Sequence, residues 1–254
     1  MKRIESVQNS LVKHWKKLVL TRKERDTSGE FVVEGFHLVE EALKNNGAIL
    51  ALIVRDDVEI PSDWNIEGVH IVEVNNAVAK EIAETERSQG IFAHCRQPVH
   101  GEEQYASWKK VLLIDSVQDP GNVGTMIRTA DAAGMAAVIL GKGTADPYNP
   151  KTVRAGQGSH FNIPVVRGEL TEWVERLKTN GIPVLGTGLQ NAVTHTEADI
   201  QSDFALIVGN EGSGVNPELL SLADKTVMIP LYGKAESLNV AVATGILLYT
   251  YSKN

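Results

Sequence analysis

Cysteine occurs once in the 254 residues, as Cys95. No internal disulfide can form, and no Cys-rich zinc site can be assembled. Such usage fits a reducing cytosol. Long apolar runs are also missing. The longest mostly apolar stretch is Val240–Tyr251, too short to span a bilayer and suited to a buried helix. The basic N-terminus lacks the apolar run of a signal peptide. The expectation is a cytoplasmic protein with no membrane partner. Positive charge is in short supply too: the formal net charge is -7, which argues against a general binder of phosphate backbones.

The distribution of charge softens that exclusion. Residues 1–30 hold eight Lys/Arg against four Asp/Glu, a local +4. Lys13, Lys16 and Lys17 fall in the stretch Ser10–Arg25, where Leu11, Trp15, Leu18 and Val19 recur at helical spacing. The segment is either a solvated helix face or an arm that contacts RNA. Apolar residues make up 43% of the chain, enough for a true core.

Beyond this basic segment (1–30), residues 31–97 read as a small α/β unit. It has strands at Phe31–Val33, Ala51–Val54, Val69–Val74 and Gly90–Ala93, with a helix over His37–Lys44 closed by Asn45-Asn46-Gly47. Residues 98–108 are polar and read as a linker. Residues 109–254 alternate apolar strands with amphipathic helices. That alternation implies a parallel sheet covered on both faces. Ligands of such sheets bind past the carboxyl ends of strands, so the loops there are the places to search.

Three such segments stand out. In Asp115–Ala130, Pro120-Gly121 turns the chain and Asn122 is a good helix cap. Arg128 sits in an otherwise uncharged run, where an arginine is usually paired or bound to an anion. In Ile207–Val215 the glycines of Gly209–Gly214 would let backbone approach a ligand closely. The cluster fits neither the dinucleotide nor the P-loop spacing, and the alternative is a simple strand-to-helix turn. In Val227–Ala243, Ser237 reads as the cap of the last helix, with Leu238 and Asn239 in its first turn.

Together these segments carry D-x-x-x-D-P-x-N-x-G-x-x-x-R-x-A, then G-x-E-x-x-G, then I-P with S-L-N-V-A-x-A. In order and spacing they resemble the three motifs of the SpoU (TrmH-like) branch of the SPOUT RNA methyltransferases, over about Val111–Tyr251. Residues 31–96 also resemble the small substrate-binding domain that precedes the catalytic domain in many members. The resemblance implies an α/β catalytic domain with a C-terminal deep trefoil knot, a departure from the usual avoidance of threading. It implies S-adenosylmethionine (SAM) held by Gly209, Ile229 and Leu238 with support from Thr187 and Gly188. It also implies a homodimer in which each site is completed by the partner, acting on structured RNA, ribosomal in preference to transfer RNA.

The reaction implied is methylation of a ribose 2′-hydroxyl without a metal. Arg128 would clamp phosphate and stabilise charge on the 2′-oxygen, since a guanidinium hardly gives up its proton. Asn122 would orient the ribose, Glu211 would position Arg128 or accept the proton, and Ser237 and Asn239 would complete the pocket. His160 ranks below Arg128. Arg154 is either a phosphate contact or one half of an ion pair. Two rivals remain: a non-catalytic RNA-binding protein on the same fold, and a nucleotide-dependent oxidoreductase, which the missing dinucleotide fingerprint disfavours.

Overall fold

A computed structural model describes residues 2–45, 48–200 and 203–252. In chain order the first elements are β1 (Lys2–Ile4), α1 (Ser10–Leu20), α2 (Arg22–Ser28), β2 (Glu30–Glu34) and α3 (Phe36–Lys44). Next come β3 (Ile49–Arg55), β4 (Ile71–Val74), α4 (Asn76–Ile82), β5 (Ile91–Arg96) and α5 (Glu102–Tyr105). Then follow β6 (Lys110–Ile114), α6 (Pro120–Ala132), β7 (Ala137–Leu140), α7 (Pro150–Gly156), β8 (Val165–Arg167) and α8 (Leu170–Thr179). The last are β9 (Val184–Thr187), β10 (Val193–Thr194), β11 (Phe204–Val208), α9 (Pro217–Ser221), β12 (Lys225–Met228) and α10 (Val240–Tyr251). Asn46 and Gly47, which close α3 in the sequence reading, lie outside the described residues. Among the described residues no helix is long and apolar enough to cross a membrane.

The chain divides into two compact units. One takes in residues up to Val99 together with Tyr148–Phe161; the other takes in His100–Pro147 and the residues from Asn162 on. The first unit has a five-stranded mixed sheet in the order β1-β4-β3-β5-β2. Here the structure departs from the sequence reading in two ways. The basic segment is not set apart, because β1 pairs in parallel with β4 and α1 covers the sheet through Val12, Trp15 and Leu18. The segment holding α7 joins this unit rather than the second. Its Tyr148 and Phe161 rings lie 4.8 and 5.8 Å from the Phe31 ring, centroid to centroid, so the core fixes its place.

The predicted helix Ser10–Arg25 is broken at Thr21, which is extended at φ -126° and ψ 124°. The break is held by Arg25, only 2% exposed, whose guanidinium donates to Leu18 O at 2.5 Å and Val19 O at 3.1 Å. A cation on the last carbonyls of α1 satisfies groups that a helix end leaves open.

The second unit has seven strands, all parallel, in the order β10-β12-β9-β11-β6-β7-β8. Successive residues of β6 face opposite ways. Leu112 and Ile114 join α6 and α10 in one core layer, while Val111 and Leu113 join α8 and α9 in the other. Burial on both faces explains why these strands read as continuous apolar runs. β6 and β11 are neighbours with Ile114 opposite Val208, so the two loops that leave them start side by side.

The Arg25 contact predicts a measurable cost. Arg25→Met keeps much of the buried volume but leaves two carbonyls without their charged donor. Urea denaturation should show a loss of roughly 2–3 kcal/mol, the scale of hydrogen bonds to a charged group.

Candidate active site

The site forms where β6, β11, β9 and β12 end. Asp115 N donates to Val208 O at 2.8 Å, which ties the first loop to the last residue of β11. Asn210 Nδ2 donates to Ser116 O at 2.8 Å, and Asp115 Oδ2 accepts from Asn216 N at 2.7 Å. Ser116 takes φ 56° between these clamps, a region that non-glycine residues seldom occupy. Asp115, Ser116 and Asn210 thus lock the two loops together. Sequence reasoning quoted them within the segments and gave them no role.

Asn122 is not the cap of α6. Asp119 is, accepting from Asn122 N at 2.8 Å, with Pro120 opening the helix. That frees the Asn122 side chain. Its Nδ2 donates to Glu211 Oε1 at 3.0 Å, and its Oδ1 accepts from Asn239 Nδ2 at 2.9 Å. Asn239, not Ser237, caps α10, its Oδ1 accepting from Ala241 N at 3.0 Å and Val242 N at 3.2 Å. One residue from each of the three segments therefore meets in a single chain of hydrogen bonds, Glu211–Asn122–Asn239.

Glu211 also accepts from Gln118 N and Asp119 N, both at 3.4 Å. Burial alone would raise its carboxyl. Hydrogen bonds from the Asn122 side chain and from backbone, those of Asp119 and Gln118 among them, instead hold it below the ordinary carboxylate value. A carboxylate stabilised in its charged form is a poor proton acceptor at neutral pH. The arrangement suits Glu211 to orienting Asn122; among the described residues no hydrogen bond or ion pair joins it to Arg128.

Gly209 is required for a reason other than ligand approach. A Cβ placed there would lie 2.2 Å from the carbonyl carbon of Gly214 and the nitrogen of Val215. The loop closes on itself, with Asn210 and Gly214 exchanging backbone hydrogen bonds at 3.0 Å. The positive φ falls on Gly214, at 73°.

Beside this cluster lies a cavity of about 240 Å³. Thr187, Gly188, Ile229, Ser237 and Leu238 line it; Gly209 is not among its lining residues. Leu231 and Leu238, also lining it, are 40% and 37% exposed, so these apolar side chains face the opening rather than the core. Four of the five residues proposed for a cofactor therefore share one apolar-walled recess.

The remaining candidates are placed elsewhere. Arg128 is exposed on α6, and among the described residues no carboxylate pairs with it, which leaves the anion of the two expected alternatives. Six residues along a helix separate Arg128 from Asn122 by roughly 120° of rotation, so one chain does not bring both into the hydrogen-bonded cluster. His160 is buried in the first unit, its ring 5.9 Å from the Tyr148 ring. Arg154 forms a two-pronged ion pair with Glu84, and Lys16 pairs with Glu81 at 2.6 Å. Lys13 and Lys17 are exposed on α1.

Comparison with known proteins places the chain in a family. Residues 109–249 match the SpoU rRNA Methylase family, and residues 9–93 match the MRM3-like substrate binding domain. The chain is 53% identical over 249 residues to the 23S rRNA (guanosine(2553)-2'-O)-methyltransferase RlmP of Bacillus subtilis, covering 98% of both chains. It is 32% identical over 259 residues to a 23S rRNA (uridine(2479)-2'-O)-methyltransferase of Streptomyces viridochromogenes, covering 95% of this chain and 89% of that one. Among solved structures, an AdoMet-bound rRNA methyltransferase from Sinorhizobium meliloti superposes with a TM-score of 0.87 at 34% identity, over 98% of this chain and 97% of that one.

The double role of Asn239 can be separated by substitution. Asn239→Asp keeps an acceptor for the first N–H groups of α10 and should unfold like the wild type. Asn239→Ala removes the cap and should cost about 1 kcal/mol. In both, the side-chain amide of Asn122 loses its Asn239 donor, and its NMR signal should move; an unmoved signal would contradict the hydrogen-bond chain.

Proposed function

The chain belongs to the SpoU rRNA methylase family, and from that premise we propose that it transfers a methyl group from SAM to a ribose 2′-hydroxyl of 23S ribosomal RNA, in the cytoplasm. The observation that carries the reading is the chain Glu211–Asn122–Asn239, held at the rim of the Thr187–Leu238 cavity. The names borne by the relatives support the ribosomal substrate and the 2′-hydroxyl as target.

The cavity suits SAM. Ile229, Leu231 and Leu238 give apolar walls for flat and aliphatic parts, and main chain at Thr187 and Gly188 gives donors and acceptors for a polar edge. When bound, the sulfonium supplies an activated methyl group. The protein's task is then alignment of the 2′-oxygen for in-line displacement. Asn122 is held at both ends of its amide and so presents its remaining N–H and lone pair in a fixed direction. Preorganisation of that kind costs nothing at the moment of reaction. Glu211 keeps Asn122 in place.

Arg128 clamps the adjacent phosphate and stabilises charge on the 2′-oxygen. It faces away from the cluster of its own chain, which supports a homodimer in which Arg128 of the partner subunit completes each site. α10 offers the surface: Val242, Ile246 and Tyr249 are 53%, 37% and 52% exposed and recur on one face at helical spacing. Leu247 and Leu248, by contrast, are core residues of the single chain. The knotted path of the C-terminal part and the RNA contacts of Lys13, Lys16, Lys17 and Arg154 belong to the same reading.

Two outcomes test it. Arg128→Ala should bind SAM with unchanged affinity by calorimetry yet lose at least ~100-fold in single-turnover methylation, the scale of one preorganised donor. Arg128→Lys should stay nearly as slow, because the charge is kept and the planar fork is lost. Activity of Arg128→Ala within a few-fold of wild type would remove Arg128 from the chemistry. Separately, sedimentation should give a dimer at micromolar concentration, and Ile246→Glu should yield a folded monomer. Loss of a 2′-O-methyl group from 23S rRNA on deleting the gene identifies the nucleotide.

A further inference from the structure

The strands β2 and β5 run antiparallel with Val32 opposite His94. Glu30 lies two residues before Val32, so its side chain shares the face of His94. α1 packs on that same face through Val12, Trp15 and Leu18. At the rim of this packing His14 comes down from α1. The outcome is a convergence of three donor atoms: Glu30 Oε2 lies 2.7 Å from His14 Nε2 and 2.8 Å from His94 Nε2, and all three lie within 4.8 Å of one another.

We propose that His14, Glu30 and His94 form a binding site for one divalent transition ion, zinc(II) foremost, which fastens α1 to the β2–β5 edge. Two imidazoles and one carboxylate suit Zn²⁺ and not Mg²⁺ or Ca²⁺, which take oxygen ligands. A zinc ion takes ligands at ~2.0–2.2 Å, which sets ligand atoms about 3.3 Å apart in a tetrahedron; the trio needs only small side-chain rotations to open to that spacing. Three protein ligands leave a fourth position for water. The side chains are 26%, 23% and 10% exposed for His14, Glu30 and His94, partly shielded yet reachable by an ion.

A second observation points the same way. His14 Nδ1 lies 3.0 Å from Glu24 Oε1 on α2. A carboxylate on the far nitrogen of an imidazole fixes the ring and leaves the near nitrogen aimed at an ion, the usual support of a metal-bound histidine. Two carboxylates around the trio also balance a 2+ charge. The three ligands come from sequence positions 14, 30 and 94, which no short motif spacing would reveal, and Cys95 beside them is buried and takes no part.

The test uses the full chain, free of any affinity tag and stripped with chelator. Calorimetry with zinc chloride should give one equivalent bound, and added zinc should raise the melting temperature as a ligand of the folded state does. Cobalt(II) should give visible absorption bands of a site with few ligands. Glu24→Gln should weaken zinc binding about 10–100-fold. His14→Gln with Glu30→Gln should abolish the equivalent while the zinc-free protein stays folded by circular dichroism; His14→Gln alone, at a partly exposed position, provides the same test with less risk to folding. No heat and no melting shift in the wild type would overturn the proposal. So would unweakened binding in the variants that remove His14 or Glu30, which would assign the ion to other histidines.

Discussion

The parallel pairing of β6 with β11, with Ile114 level with Val208, is the constraint on which the site depends. Two loops that leave neighbouring strands at the same height must share space, and their polar groups must find partners there. Asp115, Asn210 and the Ser116 carbonyl supply those partners. Only after the loops are locked does Glu211 stand where Asn122 can reach it. The φ of Ser116 is the conformational cost of bringing the strands' ends so close, of order 1–3 kcal/mol. It is offset by the core layers on both faces of the sheet.

The choice of residue types in the cluster follows from what each must do at once. Asn239 has to accept from two helical N–H groups through Oδ1 and donate through Nδ2. A serine cap could accept, but its single short hydroxyl would not also reach Asn122. Asn122 has to accept from one neighbour and donate to another, which an aspartate could not do. Glu211 receives N–H groups on both oxygens and donates nothing, so a carboxylate fits where an amide would turn its own donors towards Asn122 or towards the Gln118 N–H. The order acceptor, relay, donor is thus fixed by hydrogen-bond polarity alone.

Much of this was legible in the sequence. The strands of the second unit stand out because residues buried on both faces give unbroken apolar runs, as in Phe204–Val208, where all five residues are buried. The three segments and their residues were recognisable from motif order. What each side chain does was not. Asp-Pro-Gly-Asn offers two capping residues, and Pro120 at the first helical position marks Asp119 as the one used; that signal was present and outweighed by the attraction of Asn122. For α10 both Ser237 and Asn239 can cap, and a tertiary contact decides. β1 has a single buried residue, Ile4, out of three, too little to leave a pattern. The aromatic residues around α7 announce burial, but not which of two cores they enter.

Charge on the first unit needs the same care. Lys16 and Arg154 both hold carboxylates, which at first sight competes with the contact to RNA proposed for them. The energetics argue otherwise. Lys16 and Arg154 have side chains 44% and 45% exposed, and exposed pairs contribute only about 0.2–1 kcal/mol. A phosphate that releases condensed counterions from the RNA offers more than that. On the proposal that Lys16 and Arg154 meet RNA, the carboxylates would act as placeholders that keep long side chains extended before binding. The same proposal reconciles a net charge of -7 with a polyanionic substrate: repulsion from the bulk of the protein is screened over about 8 Å at physiological salt, whereas lysines of α1 would act at contact distance. Selectivity would follow on that proposal, since a nucleic acid out of reach of these cations meets a chain of net negative charge.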